Sequence, residues 1–146
     1  MNIRKMTIND YESVYALWLN TPNMGLNNFD DSIEGIAKYL ARNPDTCFVA
    51  ETNGSIIGVI LSGHDGRRGY IHHTAISKNE QRKGIGTALV NAALSALKDE
   101  GINKVALVVF AMNEKGNAFW EKQSFCTRED LNYRNKIINE IVRIDP

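Results

Sequence analysis

Apolar and polar positions along this chain change period in a consistent order, and each change predicts an element. Residues 3–6 read as a short first strand. Thr7, Asn9 and Asp10 supply helix-start chemistry, and Tyr11, Val14, Tyr15 and Trp18 then recur at helical spacing until Thr21-Pro22 ends the run. Residues 30–43 form a second helix, with Ile33, Ile36, Ala37 and Leu40 on one stripe and Pro44 closing it. Residues 46–51 and 56–64 follow as strands joined through Asn53-Gly54, the pair that best tolerates the positive φ of a type I′ turn. Asp65-Gly66 makes a second turn into a strand over 69–77.

From Thr87 to Glu100 the residues Leu89, Val90, Ala93, Leu94 and Leu97 form one apolar face, and Gly101 suits the left-handed residue that ends many helices. Residues 105–110 are apolar without alternation, as in a strand covered on both sides. Strand, helix and strand over 69–110 therefore predict a right-handed βαβ crossover. A helix over 114–123 and strands over 125–133 and 136–144 complete the chain. The order predicts one domain, residues 1–146, of the α/β class: a mixed sheet of six to seven strands flanked by about four helices.

The junction at the centre of that crossover, Gln81-Arg82-Lys83-Gly84-Ile85-Gly86, carries the chemistry. A helix start has backbone N–H groups without intrahelical partners and the positive end of the macrodipole, so it suits an anion, and glycines let those groups come close. Two familiar phosphate loops do not fit. A Walker A loop needs four residues between its glycines and then Lys-Ser/Thr, whereas only Ile85 separates Gly84 from Gly86 and Thr87 follows. A dinucleotide fingerprint needs a small residue where Leu89 stands and a carboxylate about 20 positions on. The stretch 104–110 has none.

The pattern Gln/Arg-x-x-Gly-x-Gly/Ala after a strand, met here by Gln81, Gly84 and Gly86, resembles the pyrophosphate-binding signature of the GNAT superfamily of acyl-CoA-dependent N-acyltransferases. Residues 113–125, Asn-Glu-Lys-Gly-Asn-Ala-Phe-Trp-Glu-Lys-Gln-Ser-Phe, resemble that family's Asn-x-x-Ala-x-x-Leu-Tyr-Glu-Lys-x-Gly-Phe segment. The likeness covers most of the chain. It implies acetyl-CoA as co-substrate, held by Ala75, Ile76 and Ser77 at the strand end, by Gln81, Arg82, Lys83, Gly84, Ile85, Gly86 and Thr87 in the loop, and by Asn113 and Trp120 downstream. It also implies two splayed central strands with the pantetheine arm between them, and a strand bulge near Ile76 whose N–H meets the oxyanion.

Acyl transfer to an amine needs a free lone pair, and an alkylammonium of pKa about 10.4 must first lose its proton. In Gly69-Tyr70-Ile71-His72-His73-Thr74-Ala75-Ile76-Ser77, alternation places Tyr70, His72 and Thr74 on one face and Ile71, His73 and Ala75 on the other. Only one histidine then faces the acceptor. The resemblance puts the base at Tyr70 or His72, and His72, with an ordinary imidazole pKa of about 6.5, is the choice. The competing reading makes it a packing residue. Asn113 likewise reads both as helix N-cap and as cofactor contact. The clearest departure from the family pattern is Trp120, where a Tyr would protonate the leaving thiolate, and Tyr133 is the candidate substitute. Gly116 and Ser124 also replace an Ala and a Gly. Without that acid the alternative is a non-catalytic acyl-CoA sensor. Trp18, Met24, Asn27, Asn28 and Phe29 are candidates to line the acceptor site, with Trp18 also on a core stripe. Asp30, Asp31 and Glu34 read either as attracting a cationic amine or as first-turn helix acids.

Composition narrows the classes. Lys plus Arg and Asp plus Glu number 17 each, so no global field favours nucleic acid or an anionic membrane. The start lacks an apolar signal core, and no apolar run is long enough to span a bilayer, so a cytoplasmic protein is expected. Cys47 and Cys126 form no CxxC pair and read as small buried hydrophobes, and no metal site is expected. The expected acceptor is the primary amine of a small molecule or peptide. A homodimer enters only as the commonest soluble assembly.

Overall fold

Residues 1–146 are described by a computed structural model, and they build one mixed sheet in the order β1-β2-β3-β4-β5. β1 (Asn2–Lys5), β2 (Phe48–Thr52), β3 (Ser55–His64) and β4 (Gly69–Ile76) are successively antiparallel, and β5 (Val105–Ala106) pairs parallel to β4. α1 (Tyr11–Leu19) and α2 (Ile33–Arg42) cover one face; α3 (Ile85–Asp99) and α4 (Glu114–Lys122) cover the other. The first face buries Val14, Trp18, Ile36 and Leu40 against Val59, Leu61 and Ala75. The second buries Leu89, Val90 and Ala93 against Ile57, Ile60 and Ile71. No helix is long and apolar enough to cross a membrane.

Local signals act where expected. Asn53 and Gly54 take φ of 50° and 79°, the double positive that a type I′ hairpin requires. Ser32 caps α2, its Oγ accepting the Gly35 N–H at 3.0 Å. Asp30 and Asp31 therefore precede the helix instead of filling its first turn. Asn113 caps α4, its Oδ1 accepting the Gly116 N–H at 3.0 Å. A Cβ on residue 116 would lie 2.5 Å from Asn113 Nδ2, so Gly116 leaves room for the cap.

Three expectations are corrected. The strand at 105–110 pairs over only two residues, because β5 meets Gly69 and Tyr70 and then leaves β4. The strands at 125–133 and 136–144 do not form. The chain end instead pairs with the segment joining α1 to α2: Asn28 N–H donates to Val142 O, Ile144 N–H donates to Leu26 O, and Asn27 and Arg143 form an isolated bridge. The buried Asp145 carboxylate fixes this arrangement by accepting the Gly25 and Leu26 N–H groups at 3.0 and 2.7 Å. Backbone groups used in this way are not available to extend the sheet. Cys47 is buried, as expected, whereas Cys126 is exposed.

Candidate active site

β4 carries an extra residue. Val59 pairs with Ala75 and Leu61 with His72, two steps along β3 against three along β4, and His73 takes φ of 39°. This is a β-bulge, and it reverses the facing of the strand. Ile71 packs with α3, yet Ala75, which simple alternation puts on the same side, packs with α1 and α2. Both histidines consequently face the α1/α2 side. The expectation of a single histidine on that face is overturned, and the bulge lies at His73 instead of near Ile76.

His73 is held from three directions. Its Nε2 lies 2.7 Å from Oδ1 of Asp31, a residue only 2% exposed, and its carbonyl accepts the Trp18 indole N–H at 3.0 Å. Its ring stands edge-on to that indole, with centroids 5.2 Å apart. The other Asp31 oxygen accepts the Asn27 N–H at 2.8 Å. Asp31 thus binds the bulge to the α1–α2 segment, a link across 42 positions that no local pattern signals. Trp18, fully buried, belongs to the core. Asn27 and Asn28 spend their side-chain oxygens on backbone N–H groups, and Phe29 is exposed.

His72 is ringed by Tyr70, Tyr39 and His73, with centroid distances of 4.6, 5.8 and 6.1 Å. Desolvation by these neighbours, and next the nearby His73, push its pKa down to about 4 against a smaller opposite pull from Asp31 and Asp30. The residue as a whole is nevertheless exposed, so water screens much of this desolvation. The direction is what matters: His72 is neutral at pH 7 and less basic than a free imidazole. Tyr133 is exposed; burial first, and the Tyr133 phenol second, push the Tyr70 pKa up.

On the other side of the bulge β4 has a bare edge. Ser77 N–H donates to Ile57 O at 2.8 Å, and an antiparallel ladder alternates, so the Ile76 N–H points away from β3. β5 does not reach it. Gln81 Nε2 donates to Ile76 O on the same edge at 3.2 Å, drawing the following loop back to the strand end. Arg82 takes φ of 65° and Gly84 φ of 81°, and Lys83 pairs with Glu80 at 3.0 Å. α3 then starts at Ile85, two residues before the expected Thr87, with Gly84 as an N-cap that contributes no side chain. Its first backbone bond runs from Ala88 N–H to Gly84 O. The N–H groups of Ile85, Gly86 and Thr87 precede that bond and lack intrahelical acceptors.

The two glycines divide the work. A Cβ on Gly84 would meet nothing within 4 Å, so this residue is needed for its left-handed φ and leaves the approach to the helix end open. A Cβ on Gly86 would lie 2.8 Å from Phe119 Cε1, so this residue lets α4 pack closely. Ile85 is buried, and Thr87 Oγ1 accepts from Gln123 Nε2 at 2.9 Å, which adds a second tie between α3 and α4. Trp120 stacks edge-on between Phe119 and Phe125, with centroids 5.0 and 5.1 Å away.

An uncapped helix start beside a bare strand edge is a cradle for an anionic ligand with an extended arm. The sequence profile of the acetyltransferase (GNAT) family matches residues 11–125. The chain belongs to the GNAT family. The chain is 29% identical over 140 residues to an acetyltransferase of Pectobacterium atrosepticum, covering 96% of this chain and 98% of that one. To an acetyltransferase of Sodalis glossinidius it is 30% identical, over 86% and 87% of the two chains. Among solved structures, Ard1 from Thermoplasma volcanium superposes with a TM-score of 0.76 at 25% identity, over 86% of this chain and 82% of that one. The PaiA N-acetyltransferase of Thermoplasma acidophilum, solved with coenzyme A, shares the fold with a TM-score of 0.73 at 20% identity, over 84% and 87%. In this GNAT chain, then, the bulge, the bare β4 edge and the α3 start belong to an acetyltransferase fold.

Proposed function

We propose that residues 1–146 form one N-acetyltransferase domain that moves an acetyl group from acetyl-CoA directly to the primary amine of a small molecule or peptide. The observation that carries this reading is the α3 start at Gly84, uncapped and open, beside a β4 edge that β5 leaves unpaired. The residues fit the co-substrate. The N–H groups of Ile85, Gly86 and Thr87 suit the diphosphate, the β4 edge at Ile76, between Ala75 and Ser77, suits the acyl-pantetheine arm, and Arg82 adds charge. The Ile76 N–H, turned to that edge, is the donor for the thioester oxygen.

In this reaction the amine nitrogen attacks the thioester carbonyl, its proton passes to a base, and coenzyme A leaves as a thiolate. The histidine pair supplies the base. Asp31 orients His73 by accepting its Nε2–H, which leaves Nδ1 with a free lone pair, as in other carboxylate-oriented histidines. His72, made less basic by its surroundings, is the weaker candidate and instead presents a neutral ring to the amine. Trp120, packed in an aromatic trio, donates no proton. A thiol with a pKa of about 8.5 leaves without a strong acid, and water can protonate it; Tyr133, drawn to the Tyr70 end of β4, is not placed to do so.

Release of free thiol from acetyl-CoA in the presence of an amine panel tests the reading. Turnover that falls about 100-fold in His73→Ala and Asp31→Asn, with acetyl-CoA affinity retained, supports it. Tight acetyl-CoA binding without turnover on any amine favours the sensor, for which the missing acid at Trp120 speaks.

A further inference from the structure

At the outer end of β4, on the face where Tyr70 and His72 project, the C-terminus of α2 and the β3–β4 hairpin border an open depression of about 250 Å³. Its polar groups sort into two sets, those already committed and those free. Asn43 donates to Tyr39 O and accepts from the His64 N–H. His64 faces Glu100 at 2.8 Å. Asp65 Oδ1 accepts the backbone N–H groups of Arg67 and Arg68, which leaves its Oδ2 without a bond. The free set comprises the guanidiniums of the exposed Arg42 and Arg68, neither in an ion pair, the ring of His72 and one Asp65 oxygen; the Tyr39 hydroxyl is also without a partner but is buried against Gly63.

The two guanidiniums are hydrogen-bond donors without acceptors, and a planar guanidinium fork matches a carboxylate. We infer that the depression binds a carboxylate of the acceptor, so that the favoured substrates are amines that also bear a carboxylate, with the amine end directed along β4 toward the histidine pair. This rests on the transferase reading above and adds the substrate class. Arg42 and Arg68 repel a second ammonium while Asp65 attracts it, and two positive charges against one negative leave a net selection against polyamines.

Calorimetry tests binding apart from turnover. Glycine, β-alanine and 4-aminobutyrate, each beside its carboxamide, are titrated into the protein saturated with coenzyme A. At least one acid is expected to bind roughly tenfold or more tighter than its amide, and Arg42→Ala or Arg68→Ala to bring that preference toward unity. A coenzyme A titration of each variant checks its folding. Equal affinity of acids and amides, no heat with any acid, or tighter binding of spermidine would overturn the carboxylate assignment. Thiol release from acetyl-CoA in the same panel reports separately on the transferase. Acid-selective binding without turnover sinks only the catalytic reading, whereas turnover indifferent to the carboxylate sinks only this one.

Discussion

Replacing Gly86 with Ala adds one methyl group at the closest contact between α3 and α4. The new carbon would sit 2.8 and 3.0 Å from two Phe119 ring carbons, where ordinary carbon contacts are about 3.5–4.0 Å. The ring must therefore retreat by about 0.7 Å or α4 must move with it. Retreat is resisted, because Phe119 stands against Trp120 and Trp120 against Phe125. Such overpacking costs about 1–3 kcal/mol, offset by about 1 kcal/mol from the better helix propensity of Ala. The single variant should lie between neutral and about 2 kcal/mol less stable. In a Phe119→Leu background the obstacle is gone, and the same change should stabilise by up to about 1 kcal/mol. Urea unfolding of the four proteins yields the coupling energy, expected at about 1–3 kcal/mol. A coupling below about 0.5 kcal/mol, or stabilisation by Gly86→Ala alone, refutes the packing role and returns Gly86 to service of the ligand.

At Gly84 a Cβ meets no atom, so Gly84→Ala acts only through its positive φ, at a cost of about 1–2 kcal/mol, and coenzyme A affinity should fall roughly tenfold with Gly84→Asn falling less. Equal affinities by calorimetry would remove the left-handed turn from ligand binding. His72, with its pKa lowered toward about 4, stays neutral in the native state while the unfolded chain takes up a proton near its ordinary value of 6.5. Stability is therefore lost as pH falls between those values, and in His72→Gln the slope of unfolding free energy against pH should flatten in that window. An unchanged slope would clear His72 of that effect. Burial works against ionisation of Asp145, but Arg143 and the N–H groups of Gly25 and Leu26 outweigh it and lower the pKa, so the chain-end clamp holds above the usual carboxylate range and is lost on acidification. Asp145→Asn should cost about 1–3 kcal/mol, and an unchanged Tm near neutral pH would count against the clamp.

How much could be read before the fold was known follows from where the information lies. The Asn53-Gly54 hairpin, the strand–loop–helix junction at Gly84 and the Asn113 cap depend on φ preferences and hydrogen bonds among near neighbours, so the sequence alone determined them. The βαβ crossover follows from the same local signals combined with a handedness rule. The bulge at His73 was not legible. A period of two carries no mark of an inserted residue, and it was the register against β3 that turned both histidines to one side. Nor could Asp31 be matched to His73, Gly86 to Phe119, or Asp145 to the Gly25 and Leu26 amides, since each is a choice among distant partners. The same pairing at the chain end also accounts for the missing strand at 136–144, because the Val142 and Ile144 N–H groups meet the α1–α2 segment instead of a sheet edge. Sequence determined the open start of α3 beside the end of β4; tertiary packing decided which side chains meet on the α1/α2 face of that strand.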